Sequence, residues 1–181
     1  MQRTTGLIHI YHGDGKGKTT SAMGLALRSL GHNHKVVIAQ FLKDGTSGEC
    51  RMLAKYDNLT LLAANPYSKF TFQMTNEEKE QTKQSINRMF NAATEFCKKN
   101  SVNLLILDEI CAAITTGMLD ENTLISFLEN KPTNLEVVMT GRNPSEKLIS
   151  LADYVTEMKK QKHPFDQGIA AREGIEQWAL L

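Results

Sequence analysis

Short apolar runs punctuate the chain at Leu7–Tyr11, Val36–Ala39, Leu59–Leu62, Leu104–Leu107, Leu135–Met139 and Tyr154–Val155. Most are too short for helices, and several are β-branched, so they predict strands. Their near-continuous apolarity predicts strands covered on both faces, as in a parallel sheet. Longer stretches with helical spacing lie between them. Thr19–Leu30 repeats apolar residues at Ala22, Leu25, Ala26 and Leu30. A second helix opens on Thr75 with Glu78 three residues on, the pattern of a capping box. It runs through Ile86, Met89, Phe90, Ala93, Phe96 and Cys97, with a polar first part, Glu77–Ser85, that is expected to face solvent. The β-α-β-α order predicts a doubly wound α/β fold with a mostly parallel central sheet and helices on both faces. Asn65–Gln73 reads as the longest irregular piece and 159–181 as a C-terminal loop or tail.

The 181 residues suit one domain over 1–181, able to bury a core without disulfide or metal staples. Twenty-one Lys+Arg against twenty Asp+Glu leave a net charge of +1, so no global basic field supports nucleic-acid binding. Cys50, Cys97 and Cys111 are scattered and form no zinc-ligand spacing. Sparse, odd cysteines and the lack of a signal-peptide pattern predict a cytoplasmic protein. No apolar stretch approaches the length of about 18 residues that a membrane helix needs.

The strongest chemical signal is Gly13-Asp14-Gly15-Lys16-Gly17-Lys18-Thr19-Thr20, which leaves a strand and enters a helix. Glycines let backbone N–H groups converge on one concavity, and the helix N-terminus adds positive potential there. Lys18 is expected to meet phosphate and Thr19 to ligate Mg²⁺. The spacing departs from GxxxxGK[ST], because His12 stands where the first glycine belongs, so the loop is effectively shortened. Leu104-Leu105-Ile106-Leu107-Asp108-Glu109 is an apolar strand ending in two carboxylates, either of which could hold the metal directly or through water. Glu109 could instead activate water in an ATPase. Thr140-Gly141-Arg142 follows another strand and brings a phosphate-suited guanidinium toward the same edge.

With these elements in place the sequence resembles the P-loop ATP:corrinoid adenosyltransferases of RecA-like fold, which act on cob(I)alamin or cob(I)yrinic acid a,c-diamide. The resemblance covers nearly the whole chain. It rests on the phosphate loop, Ala26-Leu27-Arg28, Gln40-Phe41-Leu42-Lys43, Leu107-Asp108-Glu109, Thr140-Gly141-Arg142, Ala152–Met158 and Lys162–Ala171. The shortened loop is similar to the family's own.

The resemblance implies transfer of the 5′-deoxyadenosyl group of ATP to Co(I), with triphosphate leaving intact. It implies Gly13–Thr20, Arg28 and Arg142 on ATP, with Lys18, Arg142 and Glu109 in the catalytic step. Thr19 and Glu109, with Asp108, would hold Mg²⁺, or Mn²⁺ in its place. Phe70 and Phe72 resemble aromatics that pack under the corrin and displace its axial ligand, with Phe72 standing where the family often has Trp. Two alternating core aromatics in a short strand are the other reading. A helix-surface salt bridge is the other reading of Arg28. His163 and Phe165 match a C-terminal block assigned to the corrinoid, although a lone histidine is more often a structural hydrogen-bonder. A homodimer and an electron donor such as a reduced flavoprotein are also implied. The competing activities are a P-loop ATPase or small-molecule kinase releasing ADP, and a corrinoid-delivery module.

Overall fold

The computed structural model describes residues 5–43, 45, 47–63 and 71–176. Its sheet orders six strands as β3-β2-β4-β5-β1-β6. They are β1 (Ile8–His12), β2 (Val36–Gln40), β3 (Leu59–Ala63), β4 (Leu104–Asp108), β5 (Glu136–Gly141) and β6 (Tyr154–Glu157). Every pairing is parallel. All six apolar runs therefore become strands in the expected class of fold.

The two-residue period of a strand sorts the core into two layers. Val37, Ala39, Leu105, Leu107, Val137 and Met139 face one side. There they meet α3 (Asn76–Lys99), α4 (Ile110–Thr115), α5 (Glu121–Glu129) and α6 (Glu146–Leu151). Val36, Ile38, Leu104, Ile106 and Val138 face the other side, against α1 (Lys18–Leu30) and Leu53 of α2 (Gly48–Leu53). This explains why β2 and β4 are buried at every position while the edge strands β3 and β6 are not.

The capping box of α3 forms in both directions: the Glu78 amide donates to Thr75 Oγ1 at 3.2 Å and the Thr75 amide to Glu78 Oε2 at 2.8 Å. Its polar first part faces outward except at Thr82, which is fully buried and donates to Met74 Sδ. The irregular segment before it closes with a 3₁₀ turn, Thr71–Gln73, and the C-terminal segment contains another, Pro164–Gln167.

Parallel order brings the carboxyl ends of β1, β2, β4, β5 and β6 to one edge. The register sets His12 beside Gly141 and Glu157, and Gln40 beside Asp108. In an open α/β sheet that edge is where ligands bind.

Candidate functional site

The phosphate loop leaves β1 at this edge and enters α1, whose first residue is Lys18. Its shape is fixed from an unexpected direction. The chain leaving β6 crosses the loop, and Met158 N–H donates to His12 O at 2.7 Å while Gly15 N–H donates to Met158 O at 2.6 Å. Lys160 N–H then donates to Asp14 Oδ1 at 2.9 Å, which holds the Asp14 carboxyl below its ordinary range. A side chain on Gly13 or Gly15 would put Cβ 2.5 or 2.6 Å from the Met158 carbonyl oxygen, and Gly13 also has φ of +113°. This strap alone requires glycine at both positions.

Lys18 is largely buried, and its Nζ donates to Gly15 O at 2.8 Å. Burial pulls its pKa down, opposed by the nearby Glu109 carboxylate. Thr19 Oγ1 donates to Asp108 Oδ1 at 2.9 Å, joining the loop to β4.

Asp108 is fully buried, with a donor network around both oxygens. Thr140 also donates to Oδ1, at 2.7 Å, while Gln40 and Lys43 donate to Oδ2 at 3.0 and 2.7 Å. Cys50 in turn donates to Gln40 Oε1, which orients that amide. Glu109 sits at the β4–α4 junction with left-handed φ of 63°. Such a conformation costs a non-glycine residue about 1–3 kcal/mol and is concentrated at functional sites. Its amide donates to Thr140 Oγ1 at 2.8 Å. Burial raises the Glu109 pKa, with Lys43 the leading opposing charge.

Thr140 thus bridges both carboxylate residues. Thr140→Val keeps the shape and orphans an amide and a carboxylate oxygen lone pair. We expect a loss of about 1–3 kcal/mol, read as a lower urea midpoint with an unchanged m-value.

These groups surround a cavity of about 300 Å³ lined by Asp14–Thr20, Gln40, Lys43, Ser47, Glu49, Glu109, Arg142, His163, Ile175 and Glu176. That volume is at the lower end for small-ligand sites. Asp14, Gly15, Lys16, Gly17, Lys18, Thr19, Thr20, Glu109 and Arg142 are brought together as the sequence predicts, with Gly13 in the adjoining strapped turn. The donor set is hydroxyl and carboxylate oxygen, the chemistry a hard divalent cation takes. Among the described residues no group of three His, Cys, Asp or Glu converges as a metal cage.

Arg28 stands apart from the other predicted ATP-site residues. It lies ten residues beyond Lys18 on α1, about 15 Å along the helix. It lines a separate cavity with His9, His32, Asn103 and Glu136, where β1, β4 and β5 begin. Helical rise therefore carries it away from the phosphate loop of its own chain. It makes no surface salt bridge either among the described residues.

Phe70 lies outside the described residues. Phe72 occupies the 3₁₀ turn before α3 and is 78% exposed, which overturns the reading of it as a core aromatic in a strand. His163 lines the phosphate-loop cavity and caps a 3₁₀ turn, its Nδ1 accepting from Phe165 N–H at 3.2 Å. Phe165, on that turn, is 74% exposed.

Residues that the sequence did not single out also reach the cavity. Gln40 comes from the end of β2, Lys43 and Ser47 from the loop that follows, Glu49 from the first turn of α2, and Ile175 and Glu176 from the C-terminal segment. Arg172 pairs with Glu176 at 2.8 Å and holds the Glu176 pKa down at about 2. The C-terminal segment is thus partly a wall of the cavity. The inclusion of Gln40 and Lys43 in a resembling block is the one signal that could have marked them.

The model of the family described as ATP:corrinoid adenosyltransferase BtuR/CobO/CobP matches residues 4–177. A corrinoid adenosyltransferase of a Sinorhizobium species is 33% identical over 173 residues, covering 94% of this chain and 80% of that protein. One of Escherichia coli strain K12 is 32% identical over 178 residues, covering 97% and 87%. One of Pseudomonas aeruginosa is 31% identical over 172 residues, covering 94% and 83%. Among the described residues no helix is long and apolar enough to cross a membrane.

Proposed function

Because the chain belongs to the ATP:corrinoid adenosyltransferase family, we propose that it joins the 5′ carbon of ATP to the cobalt of a reduced corrinoid, cobalamin or cob(I)yrinic acid a,c-diamide. The Co(I) electron pair attacks C5′ and the Co–C bond forms. The C5′–O bond breaks, its electron pair leaves with triphosphate, and cobalt is formally oxidised by two electrons to Co(III). The nucleophile belongs to the substrate, so the protein needs no activated side-chain nucleophile. Its tasks are to position ATP, stabilise the departing charge and exclude water.

One observation carries this reading: the blocks that resemble the family, far apart in sequence, deliver Lys18, Thr19, Glu109, Arg142 and His163 to one cavity. Lys18 and Arg142 supply positive charge to the triphosphate. Thr19 and Glu109 would hold Mg²⁺, or Mn²⁺ in its place. Asp108, its two oxygens already engaged by four donors, orients Thr19 and acts through water. Once bound, the divalent ion neutralises phosphate oxygens that the lysines cannot reach alone.

Phe70 and Phe72 would pack against the corrin and displace its axial ligand, with His163 and Phe165 at its margin. The high exposure of Phe72 suits a surface that a large apolar ligand covers. A homodimer and a reduced flavoprotein as electron donor complete the proposal.

The deciding experiment is an anaerobic reaction with Mg-ATP and chemically reduced cob(I)alamin, following the corrin spectrum and the phosphate product. Light-sensitive adenosylcobalamin with intact triphosphate is expected. ADP and phosphate without a Co–C product would leave only the fold. Replacing Phe70 and Phe72 together by alanine should slow assays that start from cob(II)alamin about tenfold or more, with much less effect on those starting from cob(I)alamin. Equal losses in both would remove the ligand-displacing role.

A further inference from the structure

Lys43 stands at the centre of the proposed metal seat. Its Nζ donates to Thr19 Oγ1 at 2.9 Å and to Asp108 Oδ2 at 2.7 Å, and lies 3.8 Å from Glu109 Oε1. These are the oxygens that the site offers a divalent ion. The hydrogen-bond directions make the coincidence specific. Thr19 has one hydroxyl hydrogen and gives it to Asp108 Oδ1. Only its lone pairs remain for any other partner, and the Lys43 ammonium takes one of them.

The side chain of Lys43 is 9% exposed and that of Asp108 not at all. A carboxylate so buried needs a cation beside it, and in this structure the cation is Lys43. A divalent ion on the Thr19 hydroxyl would sit about 2.1 Å from that oxygen. It would meet the ammonium at short range inside a low-dielectric cavity, where the repulsion is severe. The two cations therefore exclude each other. Lys43 lines the phosphate-loop cavity, so an incoming triphosphate offers its Nζ new oxygens within that cavity.

We propose that Lys43 is an exchangeable internal cation: it holds the metal seat until nucleotide arrives, then moves onto the triphosphate and yields the seat to the divalent ion. Metal uptake is thereby coupled to ATP binding, and the protein without nucleotide does not spend its acidic site on stray divalent ions. This rests on the reading of Thr19, Asp108 and Glu109 as a metal seat.

The test uses Mn²⁺ as probe, with no corrinoid present. Water-proton relaxation enhancement reports protein-bound Mn²⁺ apart from Mn-ATP in solution. Wild type should take up Mn²⁺ weakly alone and tightly with ATP. Lys43→Met should bind Mn²⁺ without ATP about tenfold or more tightly than wild type. The variant should also melt lower, because Asp108 loses its counter-charge, and Mn²⁺ should restore its melting temperature more than it raises that of wild type. Lys43→Gln, which keeps a donor toward Asp108 and Thr19 without the charge, carries the same comparison if the methionine variant does not fold. If the variants bind Mn²⁺ no tighter than wild type while wild type takes it up with ATP, the exchange is overturned and the metal seat stands. If no protein binds Mn²⁺ even with ATP, the seat itself is wrong and the exchange falls with it.

Discussion

Lys18→Ala is expected to fold and bind corrinoid, yet to lose adenosyl transfer by about 10²–10³-fold, the scale of removing one preorganised charge-stabilising donor. The chain of causes begins at the α1 N-terminus. Lys18 is the first helical residue, so its backbone joins the group of amides facing the cavity. Its ammonium is held back against Gly15 O rather than extended into solvent. It therefore needs little further ordering to meet a phosphate oxygen, and burial makes its charge most favourable once that oxygen is there. Alanine removes the charge and exposes Gly15 O to cavity water, which can replace the lost hydrogen bond. The melting temperature should therefore move little. Lys18→Arg should fail as well, because a planar guanidinium does not fit the seat of a compact ammonium. Full turnover in Lys18→Ala, measured with cob(I)alamin and saturating Mg-ATP, would take this residue out of the leaving-group role.

The parts of the candidate site legible in the sequence are those whose signal is local. Gly13–Thr20 carries its own strand, turn and helix start, and Leu104–Asp108 its own apolar run and terminal carboxylate. What escaped depends on which strands become neighbours. Lys43 in Phe41-Leu42-Lys43 looks like a solvated loop lysine until β2 lies beside β4 and Gln40 is in register with Asp108. Then a buried carboxylate sits within reach of it. Tyr154–Val155 announces a strand but not the edge place of β6 next to β1, and only that place lays Met158 across the phosphate loop. Arg28 is a different case. Its distance from Lys18 follows from helical rise alone and is legible in the spacing of the two residues. Phe72 leaves two readings open in the sequence, a corrin-facing aromatic or a core aromatic in a strand, and its exposed place in a 3₁₀ turn removes the second.

Gly15→Ala should damage the site as severely as loss of the lysine, but through the backbone. Gly15 uses both of its peptide groups: its N–H donates to Met158 O at 2.6 Å and its carbonyl accepts Lys18 Nζ at 2.8 Å. A methyl group there would stand 2.6 Å from Met158 O and 2.9 Å from the Lys159 carbonyl carbon, both backbone atoms of the strap. Neither can rotate away. Either β6 loses its hold on the loop, or the loop moves and takes the Lys18 acceptor with it. Overpacking of this kind costs about 1–3 kcal/mol, which for a domain of this size lowers the melting temperature by about 2–4 °C per kcal/mol. Displacing the phosphate loop by about 1 Å should cost about 10²-fold in kcat/KM for ATP. Gly24→Ala is the matched control. Gly24 lies inside α1, and a Cβ there meets nothing within 4 Å. The same substitution should raise stability by about 0.5–1 kcal/mol and leave transfer unchanged. Opposite signs in the two melting curves would locate the requirement for glycine in the Met158 strap. A Gly15→Ala protein as stable and active as wild type would show that the strap does not set the shape of the loop.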